Sequence, residues 1–152
     1  MIISSTRFGQ IDVSDDQVTQ FPFGLPGFPE EKQFVILPYK PDSPFYFLQS
    51  LKDCDLSFLA VNPFDFFSDY EFKIEEEITE AMGFSQETLP EVYAIITVPQ
   101  QTEDMTANLL APIVINRAKQ MGMQLILEKT AYTTRHRLFP AKENKEAGEG
   151  GK

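Results

Sequence analysis

The chain has no tryptophan, one histidine and one cysteine, and no apolar run near the roughly 20 residues that span a bilayer. The missing tryptophan excludes nothing, but the other scarcities do. With Cys54 alone, an intramolecular disulfide is impossible, which agrees with a reducing compartment. With His136 alone, a hydrolase triad has one candidate imidazole base. The opening residues, Met-Ile-Ile-Ser-Ser-Thr-Arg, lack the basic-then-apolar layout of a secretory signal, and the expected location is the cytoplasm, away from any membrane.

What the chain does have is enough apolar mass for one core. It is 152 residues long, 42% hydrophobic, and carries fourteen Phe. A domain of that size buries about 70% of the surface its unfolded chain exposes, so staples of disulfide or metal are not needed. The formal net charge is -10, unevenly spread. Residues 51–100 hold two bases (Lys52, Lys73) against eleven acids, whereas residues 117–137 hold five bases against one acid. Such a surface repels phosphate backbones and anionic lipid and attracts basic proteins.

Residues 141–152 contain no apolar side chain larger than Ala and are expected to form a disordered charged tail beyond a domain spanning 1–140. Within the domain, short runs rich in Phe, Val and Ile recur between turn signals, at 8–13, 33–37, 45–50, 57–62, 92–98, 113–115 and 123–128. Most of the eleven Pro fall between these runs, where a missing ladder donor does no harm. One stretch has helical spacing: Ile74, Ile78, Ala81 and Met82 share a face, Glu75, Glu76, Glu77 and Glu80 take the others, and Gly83 supplies a stop. The expected fold is mainly β, a compact, mostly antiparallel barrel or sandwich with one short helix.

Reactive constellations are scarce. His136 stands between Arg135 and Arg137, two cations that disfavour imidazolium, and no Gly-x-Ser-x-Gly elbow accompanies it. Asp53 and Asp55 disfavour a thiolate at Cys54. Asp65, Asp69 and Glu71 are the candidates for a hard cation, but they lack the EF-hand spacing, so neither metal nor cofactor is expected. Gly24-Leu-Pro-Gly27 lacks the Lys-Ser or Lys-Thr of a phosphate loop and reads as a proline-set turn with glycine at positive φ. Aromatics in company with acids also argue against a nucleic-acid-binding barrel.

The segment Asn62-Pro-Phe-Asp-Phe-Phe-Ser-Asp-Tyr-Glu-Phe72 places five aromatic rings unevenly among Asp65, Asp69 and Glu71. Uneven spacing after a proline cannot turn every ring into one core. Exposed rings beside carboxylates suit an interface whose partner brings Arg or Lys.

Several motifs together resemble the flagellar assembly factor FliW family of bacteria. They are Phe21-Pro-Phe-Gly-Leu-Pro-Gly-Phe28, Phe34-Val-Ile-Leu-Pro38, Ser43-Pro-Phe-Tyr-Phe-Leu-Gln-Ser50, Leu56-Ser-Phe-Leu-Ala-Val-Asn-Pro-Phe-Asp-Phe-Phe-Ser-Asp-Tyr-Glu-Phe72 and Thr106-Ala-Asn-Leu-Leu-Ala-Pro-Ile-Val-Ile-Asn116. The resemblance implies a non-catalytic, β-barrel-like regulator with two cytoplasmic partners, flagellin and the RNA-binding translational repressor CsrA. In that family the free factor captures CsrA and relieves repression of flagellin synthesis, and unexported flagellin displaces it. The alternative is a flagellin export chaperone with no role in translational control. The candidate partner-binding residues are Asp65, Phe66, Phe67, Asp69, Tyr70, Glu71, Glu75 and Glu76.

Overall fold

The computed structural model describes residues 1–25 and 27–139. The described residues form eleven strands and one α-helix: β1 Ile2–Ser5, β2 Gly9–Asp12, β3 Val18–Gln20, β4 Gln33–Pro38, β5 Phe45–Ser50, β6 Ser57–Val61, α1 Glu76–Met82, β7 Glu91–Thr97, β8 Thr106–Ala107, β9 Ile113–Asn116, β10 Met121–Gln124 and β11 His136–Arg137. Seven of the strands close on themselves in the order β7-β6-β5-β4-β3-β10-β9, with β9 returning to β7. The expected barrel is therefore present, and its neighbours are antiparallel except at one joint. That joint pairs Met121 of β10 with Gln20 of β3 in parallel. The Gln20 N–H donates to the Gln120 carbonyl at 2.8 Å, and Gln120 Nε2 donates to the Val18 carbonyl at 2.9 Å.

Alternation along the strands sorts side chains between the inside and the outside of the wall. Phe34 and Ile36 of β4, Leu48 of β5, Ala60 of β6, Tyr93 of β7 and Ile113 and Ile115 of β9 fill the interior with Phe21. Phe21 lies edge-on to Phe34 at 5.4 Å, and a Cβ on Gly122 would stand 2.7 Å from the Phe21 ring, so β10 approaches the core only because it has glycine there.

The outer face of the wall is covered in three places. The β1–β2 hairpin lays Ile3 against Val35, with Val13 beside them. Helix α1 and its flanks cover Val92 and Val114 with Met82, Phe84 and Ile78. A flap of β8 and β11, paired to β7 at Ile96 and Thr97, covers Ala94 and Ile96 together with Tyr70, Met105, Leu109 and Leu138. Where β7 and β9 run side by side, Arg117 donates from Nη2 to Glu91 Oε1 at 2.8 Å, and the Tyr93 hydroxyl donates to the same oxygen at 3.1 Å. The Arg117 hydrogen bond, opposed by partial burial, holds the Glu91 carboxyl below the usual carboxylate range.

The structure corrects several boundaries. The helix starts at Glu76, two residues after Ile74, because Glu75 keeps extended backbone, and it ends as expected at Gly83 in the left-handed conformation (φ 76°). The run expected at 123–128 is a strand only as β10; beyond it the Leu125 and Leu127 N–H groups bond the Pro112 and Leu110 carbonyls of a loop. The run at 8–13 narrows to β2, and β1, β3, β8 and β11 are strands that none of the apolar runs marks. Gly24 and Gly27 both take positive φ, and a Cβ on Gly24 would meet the Phe28 and Pro29 carbonyl oxygens at 2.6 Å. The tail expected at 141–152 lies outside the described residues.

Candidate partner-binding site

The chain leaves β6 through Asn62, whose side-chain oxygen accepts the Phe64 N–H at 3.0 Å and caps a 3₁₀ turn over Pro63–Asp65. Two further turns follow at once: the Phe67 N–H bonds the Pro63 carbonyl at 2.8 Å, and the Tyr70 N–H bonds the Phe67 carbonyl at 2.9 Å. Consecutive turns, not a strand, therefore carry the aromatic segment. That is why its rings do not alternate between two faces.

Phe66, Phe67 and Phe72 are half-buried against the outer wall and the flap. Tyr70 goes further in, to 4% exposure, and its hydroxyl donates to the Leu109 carbonyl at 2.7 Å. Burial raises its phenol above the ordinary value, so the hydroxyl remains a donor. Of the eight candidate residues, Tyr70 is thus the one placed to hold the segment rather than to face a partner. Its ring meets Tyr132 edge-on at 4.7 Å, and the Tyr132 hydroxyl accepts the Glu71 N–H at 3.1 Å.

His136 completes the aromatic group, 5.9 Å from Tyr132 and 6.1 Å from Phe67. Phe67, Asp69, Tyr132 and His136, with Ser68, line an open cavity of about 330 Å³. Ser68, Asp69 and His136 are the residue types of a hydrolase relay, but the relay is not assembled. His136 Nε2 accepts the Thr133 N–H at 2.9 Å, and among the described residues no hydrogen bond joins the imidazole to Ser68 or Asp69.

Four of the five acids divide between three places. Asp69 stands on the aromatic cavity, Glu71 and Glu75 border a cleft of about 570 Å³ between 71–78 and 123–130, and Glu75 and Glu76 continue onto the exposed side of α1. Asp65 lies apart from all three and, like the others, is exposed. None of these five carboxylates enters an ion pair among the described residues. Asp65, Asp69 and Glu71 do not converge as a cation would require. The acids and thiol that do lie together are Asp53, Cys54 and Asp55 on an exposed turn, where Asp55 accepts the Thr6 hydroxyl.

Sequence reasoning missed Tyr132 as part of this group and read His136 in isolation. Both come from a stretch more than sixty residues away that has no strand or helix period to mark it, and only the tertiary fold brings it alongside.

Comparison with known proteins gives one consistent result. The family model described as FliW protein matches residues 2–138. The chain is 51% identical over 152 residues to the flagellar assembly factor FliW of Desulfitobacterium hafniense (strain Y51), covering all of both chains. It is 45% identical over 136 residues to that of Bacillus subtilis (strain 168), covering 90% of this chain and 95% of the relative. A crystal structure of the flagellar assembly factor FliW superposes with a TM-score of 0.87 at 40% identity, covering 93% of this chain and 99% of the other.

Proposed function

The chain belongs to the FliW family of flagellar assembly factors, and on that premise we propose that it works in the cytoplasm as a regulator by binding two proteins, flagellin and the translational repressor CsrA. Capture of the repressor releases flagellin synthesis; accumulated flagellin occupies the domain and returns the repressor to its messenger. No covalent chemistry is required of the domain in this circuit.

The observation that supports this reading best is the set of uncompensated, exposed carboxylates at Asp65, Asp69, Glu71, Glu75 and Glu76 on a segment held rigid by Tyr70 and Tyr132. An RNA-binding repressor is basic where it holds phosphates, and opposite fields speed its encounter with an acidic platform. Carboxylates near the RNA path also repel RNA, over a Debye length of ~8 Å at physiological salt. The aromatic cavity beside Asp69 suits an Arg or Lys side chain, which gains from ring faces as well as from the carboxylate.

Calorimetric titration of the full chain with purified CsrA and flagellin tests the proposal. Both bind, and joint reversal of Asp69, Glu71 and Glu75 to Lys weakens repressor capture and flattens its dependence on salt. Unchanged repressor affinity at low and high salt removes the electrostatic account. Binding of flagellin without any binding of repressor leaves the export-chaperone reading in its place. A ternary complex in the same mixture excludes overlapping sites and makes the exchange a coupling, which typically changes affinity about 5- to 150-fold.

A further inference from the structure

The three coverings of the barrel do not close over its outer wall everywhere. Between the tip of the β1–β2 hairpin and the β8–β11 flap lies a groove of about 610 Å³. Phe47 and Ile96 lie at its bottom with little surface exposed, Leu59 is half-buried, and Tyr39 and Val98, each about half exposed, form its sides.

The main chain is also incomplete here. Strand β6 pairs with β5 along its whole length, from Val61 with Phe45 to Ser57 with Gln49. On its other edge it pairs with β7 at two positions only, Ala60 with Ile95 and Val61 with Ala94. Beyond them β7 makes no further pair with β6, while its other edge pairs with β8 at Ile96 and Thr97. Residues 57–59 of β6 thus have a strand on one side and an apolar groove on the other. An unpaired strand edge is a template for another strand.

The rim has the opposite charge to the rest of the molecule. The Arg7 guanidinium lies 4.4 Å over the Phe47 ring, and Lys40 lies 5.3 Å over the Tyr39 ring. Neither is in an ion pair among the described residues, in a chain whose net charge is -10.

We propose that this groove is a docking site for an extended segment of a partner protein, which adds as a strand to residues 57–59 of β6. Its alternate apolar side chains rest on Leu59 and Val98, and an acidic residue at one end meets Arg7. The site lies apart from the carboxylate platform and does not depend on the partners assigned to that platform.

The probe is the heptapeptide Thr-Val-Thr-Val-Thr-Asp-Asp, titrated into the full, isotope-labelled chain and followed by amide NMR. A second peptide ending in Lys-Lys is the charge control. The expected result is saturable shifts at the Ser57 and Leu59 amides, with the Lys-ended peptide about tenfold weaker. The Arg7→Glu variant reverses that preference, and Val98→Glu, at an exposed position that spares the core, abolishes binding of both peptides. Absence of shifts at Ser57 and Leu59 up to about 1 mM peptide overturns the proposal. So do equal shifts with both peptides that survive Val98→Glu, or shifts that follow protein concentration without peptide, which mean a second copy of the chain as occupant.

Discussion

Two regions of the molecule are built from aromatic rings, and they are held in different ways. Inside the barrel, Phe21 and Phe34 are fully shielded; Phe34 sits on a strand paired on both sides, and Phe21 directly follows β3 with its N–H bonded to the Lys32 carbonyl. On the outer wall, the rings between Phe64 and Phe72 ride on consecutive turns, with most of them half-exposed. Their position depends on the Tyr70 hydroxyl bonding the Leu109 carbonyl and the Tyr132 hydroxyl accepting the Glu71 N–H. The interior is secured by area removed from water, the platform by area plus a few directed hydrogen bonds. A surface of aromatic rings can thus stay partly open and still keep its shape.

Truncating the interior should cost most. Phe34→Ala removes a ring that touches Phe21 and Phe58, and a cavity of that size destabilises by about 3–5 kcal/mol, read as a lowered denaturant midpoint. On the platform, Tyr70→Phe keeps the ring and removes one hydrogen bond, leaving the Leu109 carbonyl short of a partner. The expected loss is about 1–2 kcal/mol, with faster amide exchange confined to the segment around residues 64–72. A Phe34→Ala effect no larger than that of Tyr70→Phe would erase the distinction between the regions.

A smaller effect belongs to the partly exposed Glu91–Arg117 pair, where Glu91→Gln is expected to cost at most about 1 kcal/mol. Because the folded-state carboxyl is held below its ordinary value, its contribution is present above the unfolded value near ~4.3 and is lost as pH falls through the folded one. Stability curves of the two proteins should therefore differ at neutral pH and merge in acid. The smallest effect is expected for Asp69→Asn with Glu71→Gln, within about 0.5 kcal/mol of the parent in unfolding. Repressor affinity should fall in the same variant, and loss of stability without loss of affinity would make these acids structural.

The sequence is most legible where the wall alternates. Runs at 33–37, 45–50, 57–62 and 92–98 became β4 to β7 because one face of each packs the interior and turn residues bound it. Strands β3, β8 and β11 have two or three residues each, too few to show a period, and they exist because longer neighbours offer them an edge. The acids of the platform could be named from composition and spacing. Its architecture could not, since Tyr132 and His136 reach it through the return of the flap, and no local pattern in 130–136 announces where they go.

The joint between β3 and β10 sets the moment at which the barrel can exist. Val18 and Gln120, which clasp it, are separated by 102 positions. Only 23 positions separate the end of β7 at Thr97 from Gln120, so a nascent chain carries β3 to β7 as an open sheet for roughly 1–5 seconds of ribosomal elongation before its closing edge emerges. Contacts this distant also slow folding, because much of the chain must be ordered before they form. The same small clasp is where the cylinder should first part under mechanical load, unzipping from one parallel contact and three glutamine bonds while the long antiparallel ladders still hold.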